Sequence, residues 1–222
     1  MATLVFADSH LSDKFEPNLF AALKPLIEKA DTVIILGDLW DWYKCSFDAF
    51  YSSEWSKLFP LLMAKQSHYI FGNHDKHEFF DDRMKTIARW FGESLSIELE
   101  GLQLQIEHGD RIAPSNDARF PRLARSLRPI YMHSYQLEDA AGRRAKWIRR
   151  SVSLSQWWAH LRLMRYVSTH ASKAERLFGH SHIATADPAH TYYNPGAFGK
   201  GWARYLWIEK SVISLVQEPY DE

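Results

Sequence analysis

The chain has 222 residues, 46% of them apolar and 24% charged, a composition typical of one soluble globular domain with a sizeable core. Lys and Arg together number 27, as do Asp and Glu, so the net charge indicates no particular class of partner. The single cysteine, Cys45, excludes an internal disulfide. The sequence shows no basic leader and no apolar run of about 20 residues. We therefore expect a cytoplasmic protein, with any membrane contact peripheral and at the inner face.

The first 90 residues alternate between short apolar runs and segments with helical spacing. The runs TLVFAD, TVIILGD and HYIFGNHD end abruptly at polar residues, which is typical of buried strands. Helices are predicted at FAALKPLIEKA, from Ala49 to Gln66, and from Lys76 to Phe91. This alternation predicts an α/β fold in which the strands are buried on both faces.

The second half of the chain changes pattern. The segment SLSIELEGLQLQIEHGD alternates apolar and polar residues and predicts a hairpin that turns at Glu100-Gly101. From about Asp117 to Arg176 the spacing is helical, which predicts an insert at 117–176 in an otherwise single domain of residues 1–222. Strand patterns return at RLFGHSH, HTYYNPG, ARYLWIE and SVISLVQ.

Side chains of types that can bind metals follow five of the predicted strands. These side chains are Asp8, His10, Asp38, Asn73, His74, His108, His180 and His182. Because the carboxyl ends of strands in an open α/β sheet line one edge, we expect them to lie close together. Carboxylate, imidazole and amide groups suit Mn²⁺, Fe or Zn²⁺, and the set exceeds what one ion needs. Two divalent ions sharing a carboxylate could activate water and clamp a phosphoryl group.

The five blocks DSH, GD, GNHD, HGD and GHSH resemble the pattern of the calcineurin-like metallophosphoesterase superfamily, D-x-H, G-D, G-N-H-D/E, H and G-H-x-H. The resemblance spans most of the chain and implies a four-layer αββα sandwich with a binuclear metal centre. It implies one ion held by Asp8, His10, Asp38 and His182, and a second held by Asn73, His108 and His180, with Asp38 bridging. It further implies that His74 acts on the phosphoryl group or the leaving group, with Asp75 orienting its ring.

Two features bear on the substrate. The stretch VIILGDLWDWY is similar to the second block of the UDP-2,3-diacylglucosamine hydrolases of lipid A synthesis, in which a helical cap for acyl chains also lies between the fourth and fifth blocks. Asp41 of this stretch is expected to anchor a hydrogen bond at the site, whereas Trp40, Trp42 and Tyr43 either match that family or simply pack. From Arg119 to Arg176 there are thirteen Lys or Arg and three Asp or Glu. This excess suits an anionic lipid surface, a diphosphate, nucleic acid or a solvated face.

Other residues leave the substrate open. The best-known lipid A hydrolases have G-N-R-D at the third block, where this chain has His74, and the Arg that often follows the last block is missing. The substrate is therefore predicted to be a UDP-2,3-diacylglucosamine-like lipid, with a nucleotide or nucleic acid as the alternative. His77 and Arg111 are further candidates for substrate binding, each with a surface role as the alternative. Mn²⁺ is the expected metal. A binding scaffold without turnover is disfavoured, because every ligand and His74 are present.

Overall fold

The computed structural model describes residues 1–99, 101–114, 126, 129 and 153–220. The strands in this part of the chain are β1 (Ala2–Phe6), β2 (Thr32–Leu36), β3 (Gln66–Ile70), β4 (Trp90–Gly92), β5 (Ser94–Leu99), β6 (Leu102–Glu107), β7 (Glu175–Leu177), β8 (Thr185–Asp187), β9 (Tyr192–Asn194), β10 (Trp202–Glu209) and β11 (Val212–Pro219). The α-helices are α1 (Pro17–Lys29), α2 (Phe47–Tyr51), α3 (Phe59–Met63) and α4 (Leu154–Thr169). Short 3-10 helices cover Glu54–Leu58, His77–Phe79, Asp82–Thr86 and Pro188–His190.

The strands form two sheets. The first has six strands in the order β11-β10-β1-β2-β3-β4, and the second has five in the order β5-β6-β7-β9-β8. The central strands β1, β2 and β3 of the first sheet run parallel, as do β6, β7 and β9 of the second. Parallel neighbours bring their carboxyl ends to the same edge, so each sheet contributes loops to one rim of the molecule.

Three buried apolar clusters hold four layers together. In β1, Leu4 and Phe6 point toward α1 to α3, whereas Val5 packs in the cluster between the two sheets. In the third cluster, Leu163 of α4 packs with Phe178 beside the second sheet. Burying a side chain of this size stabilises the fold by roughly 1.5–3 kcal/mol relative to exposure. The layers are helices, sheet, sheet and helix, and the predicted αββα fold is confirmed.

The helix predicted from Lys76 to Phe91 is wrong. Two 3-10 turns and strand β4 occupy this stretch. The Asp81 side chain accepts a hydrogen bond from the backbone N–H of Arg83 at 2.9 Å, which competes with helical hydrogen bonding. At the end of this stretch, Trp90 pairs with His68 of β3 and Gly92 pairs with Ile70. The residues that were predicted to form the last helical turn therefore form a strand at the edge of the first sheet.

The helix predicted from Ala49 to Gln66 is broken into three short pieces, α2, the 3-10 helix Glu54–Leu58 and α3. Ser53 caps the 3-10 helix by accepting from the N–H of Trp55, and Pro60 lies in the first turn of α3. Helix α1 and the β5–β6 hairpin are confirmed, as are the four strands predicted after the insert.

The predicted helical insert extends to Arg176, but α4 ends at Thr169 and Arg176 lies in β7. Although Arg176 looks like a basic surface residue in the sequence, it is buried and donates hydrogen bonds to the carbonyls of His170, Val167 and His190. These bonds tie the end of α4 to the second sheet. Most of the predicted insert before α4 lies outside the described residues. In the part of the chain that is described, none of the helices has the length and apolar character needed to cross a membrane.

Candidate metal centre

The predicted metal ligands follow the strands whose carboxyl ends meet at the rim. Two groups made only of predicted ligands place one possible ligand atom from each residue within 4.8 Å of one another: Asp8, His10 and His182 form one, and Asp8, Asp38 and His108 form the other. A third group of the same kind joins His10 to Asp41 and His74. Asp38 Oδ2 lies 3.3 Å from His108 Nε2 and 3.7 Å from His10 Nε2. It therefore faces both of the first two groups, as expected of a bridging carboxylate. The roles of these residues as ligands stay predictions, which this convergence supports.

Most of the predicted ligands have an unusual backbone conformation. Positive φ angles occur at Asp8 (55°), His10 (47°), Asp38 (53°), His180 (63°) and His182 (58°). This left-handed region is uncommon for residues other than glycine, and it is tolerated best by Asp, Asn and His. Backbone strain of this kind clusters at functional sites, where the surrounding structure holds it in place. The strain therefore marks the rim as a functional site independently of the sequence motifs.

Two glycines make room for the centre. A Cβ atom added at Gly37, which has φ +83°, would lie 2.3 Å from His108 Nδ1. One added at Gly72 would lie 2.2 Å from Asp38 Oδ1. Contacts this short do not occur between real side chains, so both positions need glycine for the ligand beside them to keep its place.

Two of the histidines are held with one ring nitrogen ready for a metal. His108 Nδ1 donates to the Leu36 carbonyl at 2.9 Å, and His180 Nε2 donates to the Ala113 carbonyl at 2.8 Å. A carbonyl acceptor on one ring nitrogen leaves a lone pair on the other. In the described part of the chain, His108 Nε2 and Asp8 Oδ2 are buried and have no hydrogen-bond partner. A cation between them would satisfy both atoms.

Asn73 and His180 also have an arrangement that suits a metal ion. His180 Nδ1 lies 2.9 Å from Asn73 Oδ1. Burial lowers the pKa of His180 to about 4, so its ring is neutral and carries one N–H, which Ala113 accepts. Two acceptor atoms therefore face each other, an arrangement that a metal ion between them resolves. These residues fit the second ion that the sequence predicts.

The charges of the buried carboxylates also fit divalent cations. Burial, aided by the nearby Asp38, raises the pKa of Asp8 to about 8, although His108 opposes the shift. Burial alone would raise the pKa of Asp38 as well, but His108 and His74 lower it below the ordinary value. Asp8 therefore lacks the positive charge that would keep it ionised near neutral pH, and a bound cation would supply it.

His74 is oriented by Asp41 and not by Asp75. His74 Nδ1 lies 3.0 Å from Asp41 Oδ1, and the other oxygen of Asp41 lies 3.3 Å from His10 Nδ1. The predicted anchoring hydrogen bond of Asp41 is therefore present, and it reaches two histidines. The His74 side chain is 27% exposed, which leaves it accessible to a substrate.

Asp75 has another role, so the prediction that it orients His74 is wrong. Its carboxylate is fully buried and accepts from Leu39 N at 2.9 Å, Gly72 N at 2.7 Å and the Tyr69 hydroxyl at 2.5 Å. These donors come from the loops after β2 and β3 and from β3 itself. Asp75 therefore stabilises the loops that carry Asp38 and Asn73. Its position next to His74 in the sequence did not indicate this role.

The aromatic residues around Asp41 differ in their surroundings. Trp40 is fully buried and donates to Cys45 Sγ at 3.3 Å, so it packs in the core. Trp42 stacks on Phe79 with the ring centroids 4.5 Å apart. The Tyr43 ring lies 5.1 Å from that of His74 and forms a wall beside the site.

The structure does not bring the two other candidates for substrate binding into the metal-ligand groups. His77 is exposed on a short 3-10 helix and lies against Phe71, with the ring centroids 5.4 Å apart. Arg111 Nη2 lies 3.8 Å from Glu93 Oε2, with the Arg111 side chain 68% exposed. Their predicted contacts with a substrate stay predictions.

One residue at the site was missed in the sequence. The Gln156 side-chain amide lies 2.7 Å from His182 Nδ1, and Gln156 also forms a capping box with Ser153 at the start of α4. The spacing S-x-x-Q is the sequence signature of such a box and could have placed the start of the helix. No sequence signal places Gln156 beside His182, because the contact depends on how α4 packs on the second sheet.

Comparison with known proteins agrees with this geometry. The family described as calcineurin-like phosphoesterase matches residues 1–205. Among solved structures, a novel archaeal phosphodiesterase is 14% identical with a TM-score of 0.52, covering 98% of this chain and 100% of that one. Yfce, a phosphoesterase from E. coli, is 14% identical with a TM-score of 0.50 and 99% of each chain covered. At this identity the structural likeness shows the fold. A search of curated proteins gives no significant match.

Proposed function

The chain belongs to the calcineurin-like phosphoesterase family and is a metal-dependent phosphohydrolase, and we propose that it hydrolyses a phosphodiester or pyrophosphate bond at a centre of two divalent ions. The observation that carries this proposal is the buried group of Asp8, Asp38 and His108, in which Asp8 Oδ2 and His108 Nε2 have no hydrogen-bond partner in the described chain. Asp8, His10, Asp38 and His182 would hold one ion. Asn73, His108 and His180 would hold the other with Asp38.

The chain's own residues prepare the reaction in a definite way. Bound ions would supply an activated water and neutralise the phosphoryl oxygens. His74 donates its Nδ1–H to Asp41, which leaves Nε2 as the ring nitrogen that can act on a substrate, and the side chain is 27% exposed. When protonated, that nitrogen can donate to the leaving oxygen as negative charge grows on it, which typically accelerates hydrolysis by about 10² to 10⁴-fold. Asp41 holds this ring in position.

We propose Mn²⁺ as the metal and a UDP-2,3-diacylglucosamine-like lipid as the substrate. Helix α4 supports the lipid. Leu154, Trp157, Trp158 and Leu161 lie at helical spacing on α4 and are 81%, 50%, 63% and 43% exposed. We call these four residues the apolar face of α4. Exposed tryptophan and leucine on one helix face suit acyl chains or the interface of a membrane.

Two further observations support the lipid. Gln156, in the first turn of α4, contacts His182, which brings the apolar face close to the centre. Arg162 and Arg165, exposed further along α4, suit anionic head groups at the inner face of a membrane.

A second candidate substrate is a soluble nucleotide or nucleic acid. The observation that favours it is the Tyr43 ring, which is half-buried and lies 5.1 Å from the ring of His74. An aromatic ring in this place could stack on a base, which typically contributes about 1–3 kcal/mol. A uridine-linked lipid would use the same ring, so the two candidates differ in their need for the apolar face of α4.

The test is hydrolysis by the Mn²⁺-loaded protein of UDP-2,3-diacylglucosamine in detergent, followed as release of UMP and the monophosphorylated lipid. An aryl phosphodiester serves as a substrate that needs only the metal centre. Cleavage of both supports the lipid. Cleavage of the aryl ester alone discards the lipid and turns attention to nucleotides, and cleavage of neither contradicts the proposed chemistry.

Variants sharpen the test. His74→Ala should reduce kcat by about 10² to 10⁴-fold while leaving the metal content intact. The double variant Trp157→Ala, Trp158→Ala should raise KM for the lipid and leave hydrolysis of the aryl ester unchanged. Val212→Ala is the matched control, because Val212 is 58% exposed on β11 and lies outside α4. An equal effect of the double variant on both substrates would contradict a role in binding acyl chains.

A further inference from the structure

The loop that carries Asp8 and His10 lies beside the loop that carries Asp38. Asp8 N donates to Gly37 O at 3.1 Å, and His10 N donates to Asp38 O at 2.8 Å. These bonds hold the backbone N–H groups of two predicted metal ligands. The carbonyl of His10 is held by a donor of a different kind.

That donor is the side chain of Lys44. Its Nζ donates to the carbonyl oxygen of His10 at 2.6 Å, and it lies 3.9 Å from Asp41 Oδ2. The Lys44 side chain is only 18% exposed, so little water competes with these contacts. A hydrogen bond from a charged donor is shorter than one between neutral groups and about twice as strong. Lys44 therefore fixes the peptide group that follows the His10 ring.

His10 needs this support because of its backbone conformation. Its φ angle of 47° lies in the left-handed region, which is unfavourable for a residue with a side chain and persists only where surrounding contacts hold it. Asp38 O binds the amide on one side of His10, and Lys44 binds the carbonyl on the other. Without Lys44, the backbone at His10 could relax. The imidazole would then move relative to Asp8 and His182, with which it forms one ligand group.

The segment that carries Lys44 also contacts the predicted acid, His74. Trp42 N donates to the carbonyl of His74 at 3.0 Å, and Asp41 Oδ1 lies 3.0 Å from His74 Nδ1. Residues 41–44 therefore contact the backbone of a metal ligand as well as the backbone and ring of the acid. The position of His10 relative to His74 depends on this segment.

We propose that Lys44 is a positioning residue for the first metal ion, because its bond to the carbonyl of His10 holds the imidazole where it can bind that ion. This inference rests on the two-ion centre of the proposed function. His10 is a predicted ligand of the first ion only, so loss of Lys44 should weaken the binding of that ion. The second ion has other predicted ligands besides the bridging Asp38 and should bind as before.

The first test compares Zn²⁺ binding by the wild type and by Lys44→Met, measured by calorimetry. Methionine has a similar length and removes the donor. We expect the wild-type chain to bind two Zn²⁺ ions. In Lys44→Met the affinity for one of them should fall by about 10- to 100-fold, the usual effect of removing a partner behind a metal ligand. Unchanged affinity for both ions would overturn the inference.

Lys65→Met is the matched control. Lys65 is also half-buried, and its Nζ also donates to a backbone carbonyl, that of Glu28, at 2.7 Å. It directly precedes β3 and so lies at the amino end of a strand whose carboxyl end meets the rim. Its affinities for Zn²⁺ should match those of the wild type. A loss in Lys65→Met equal to that in Lys44→Met would assign the effect to general destabilisation and overturn the inference.

The second test uses the wild type alone. If Lys44 strengthens binding of the first ion, that ion must strengthen the bond of Lys44 by the same factor. Acetylation by an activated ester modifies a lysine when its amine is released, and mass spectrometry reads the extent at each lysine. Addition of Zn²⁺ should slow acetylation of Lys44 by about 10-fold and leave that of Lys65 unchanged. Equal slowing at the two lysines, or none at Lys44, would contradict the proposed role.

The outcomes separate the inference from the function that it rests on. If the wild type binds fewer than two Zn²⁺ ions, the proposed two-ion centre fails, and the inference with it. If the wild type binds two ions and Lys44→Met keeps both affinities, or loses both to the same extent, the centre stands and only the inference fails. Acetylation of the wild type tests the inference even where Lys44→Met does not fold.

Discussion

Asp41 lies between two histidines with different tasks. One oxygen is 3.0 Å from His74 Nδ1 and the other 3.3 Å from His10 Nδ1. The sequence identified Asp41 as an anchor but assigned the orientation of His74 to its neighbour Asp75. A motif gives the types and order of residues, whereas the partner of a side chain depends on which loops meet in space. That the candidate ligands would lie together was predictable, because each follows a strand, but their hydrogen-bond partners were not predictable.

We predict that Asp41→Asn lowers kcat on an aryl phosphodiester by about 10 to 100-fold, the usual effect of losing a partner behind a ligand or acid. The amide cannot accept strongly from both histidines, so His74 loses its fixed orientation. Steady-state kinetics with metal analysis checks this. Asp48→Asn is the control, because Asp48 is an exposed carboxylate paired with Arg83 away from the centre. An unchanged kcat in Asp41→Asn would contradict the role of Asp41.

Tyr69→Phe should destabilise the protein by about 1–3 kcal/mol, because a buried carboxylate loses one donor. The Tyr69 hydroxyl donates to Asp75 at 2.5 Å, and both residues are fully buried. Denaturant unfolding measures the change. If Asp75 braces the loops as the structure indicates, the variant also binds metal less tightly, and normal affinity would argue that Leu39 and Gly72 suffice to hold Asp75.

Short elements account for most differences between the predicted and observed secondary structure. Buried strands and helix α1 were predicted because their apolar spacing repeats over many residues. The stretch from Lys76 to Phe91 has similar apolar spacing, but Asp81 bonds the local backbone and Gly92 pairs with β3. Strands β4 and β8 were not predicted, because three residues are too few for a periodic pattern. Strands β7 and β9 are equally short, but they were predicted as parts of the longer stretches RLFGHSH and HTYYNPG.

At the end of β2, Gly37→Ala should weaken metal binding strongly, because the new Cβ would lie 2.3 Å from His108 Nδ1. Gly101→Ala is a matched control. Gly101 also has a positive φ, of +80°, but its nearest neighbour to an added Cβ is Ser211 Oγ at 3.8 Å. Both variants strain the backbone, and only Gly37→Ala displaces a ligand. Titration with Mn²⁺ should separate them, and equal losses of affinity would assign the effect to backbone strain alone.

For the molecule as a whole, the centre connects its two sheets. Asp8, Asp38 and Asn73 follow strands of the first sheet, and His108, His180 and His182 follow strands of the second. The order of the motifs predicted that all would meet at one rim. It could not predict how the sheets face each other, because that depends on the packing of the cluster between them. Metal ions would therefore join the two halves of the fold.

Removal of the metal should lower the stability of the whole protein, most at alkaline pH. The pKa of Asp8 is raised to about 8 by burial in the metal-free protein, and the carboxylates beside His108 raise its pKa above the ordinary value despite burial. Both groups bind protons more tightly in the folded than in the unfolded state. The stabilisation that their protonated forms contribute is therefore lost as the pH rises from about 6.5 to 8. The pKa values of His10, His180 and His182 are lowered, so these groups reduce stability only as the pH falls below this range.

Thermal unfolding of the protein with and without a chelator checks this prediction. The Tm of the metal-free protein should fall from pH 6.5 to pH 8 by at least the roughly 2–4 °C that corresponds to 1 kcal/mol in a chain of this size. The Mn²⁺-loaded protein should change less over the same range. A metal-free protein whose Tm rises across this range would contradict the assignment of these groups.

The buried thiol of Cys45 offers a way to observe the loop that carries Asp41. The sulfur accepts from the indole of Trp40 at 3.3 Å, and burial raises the pKa of the thiol to about 11. Since thiolates are the species that react with disulfide reagents, the folded protein should be modified only when this segment opens. It is also the sole cysteine. The rate of labelling then reports the local opening free energy of the segment beside the candidate metal centre, without any engineered probe.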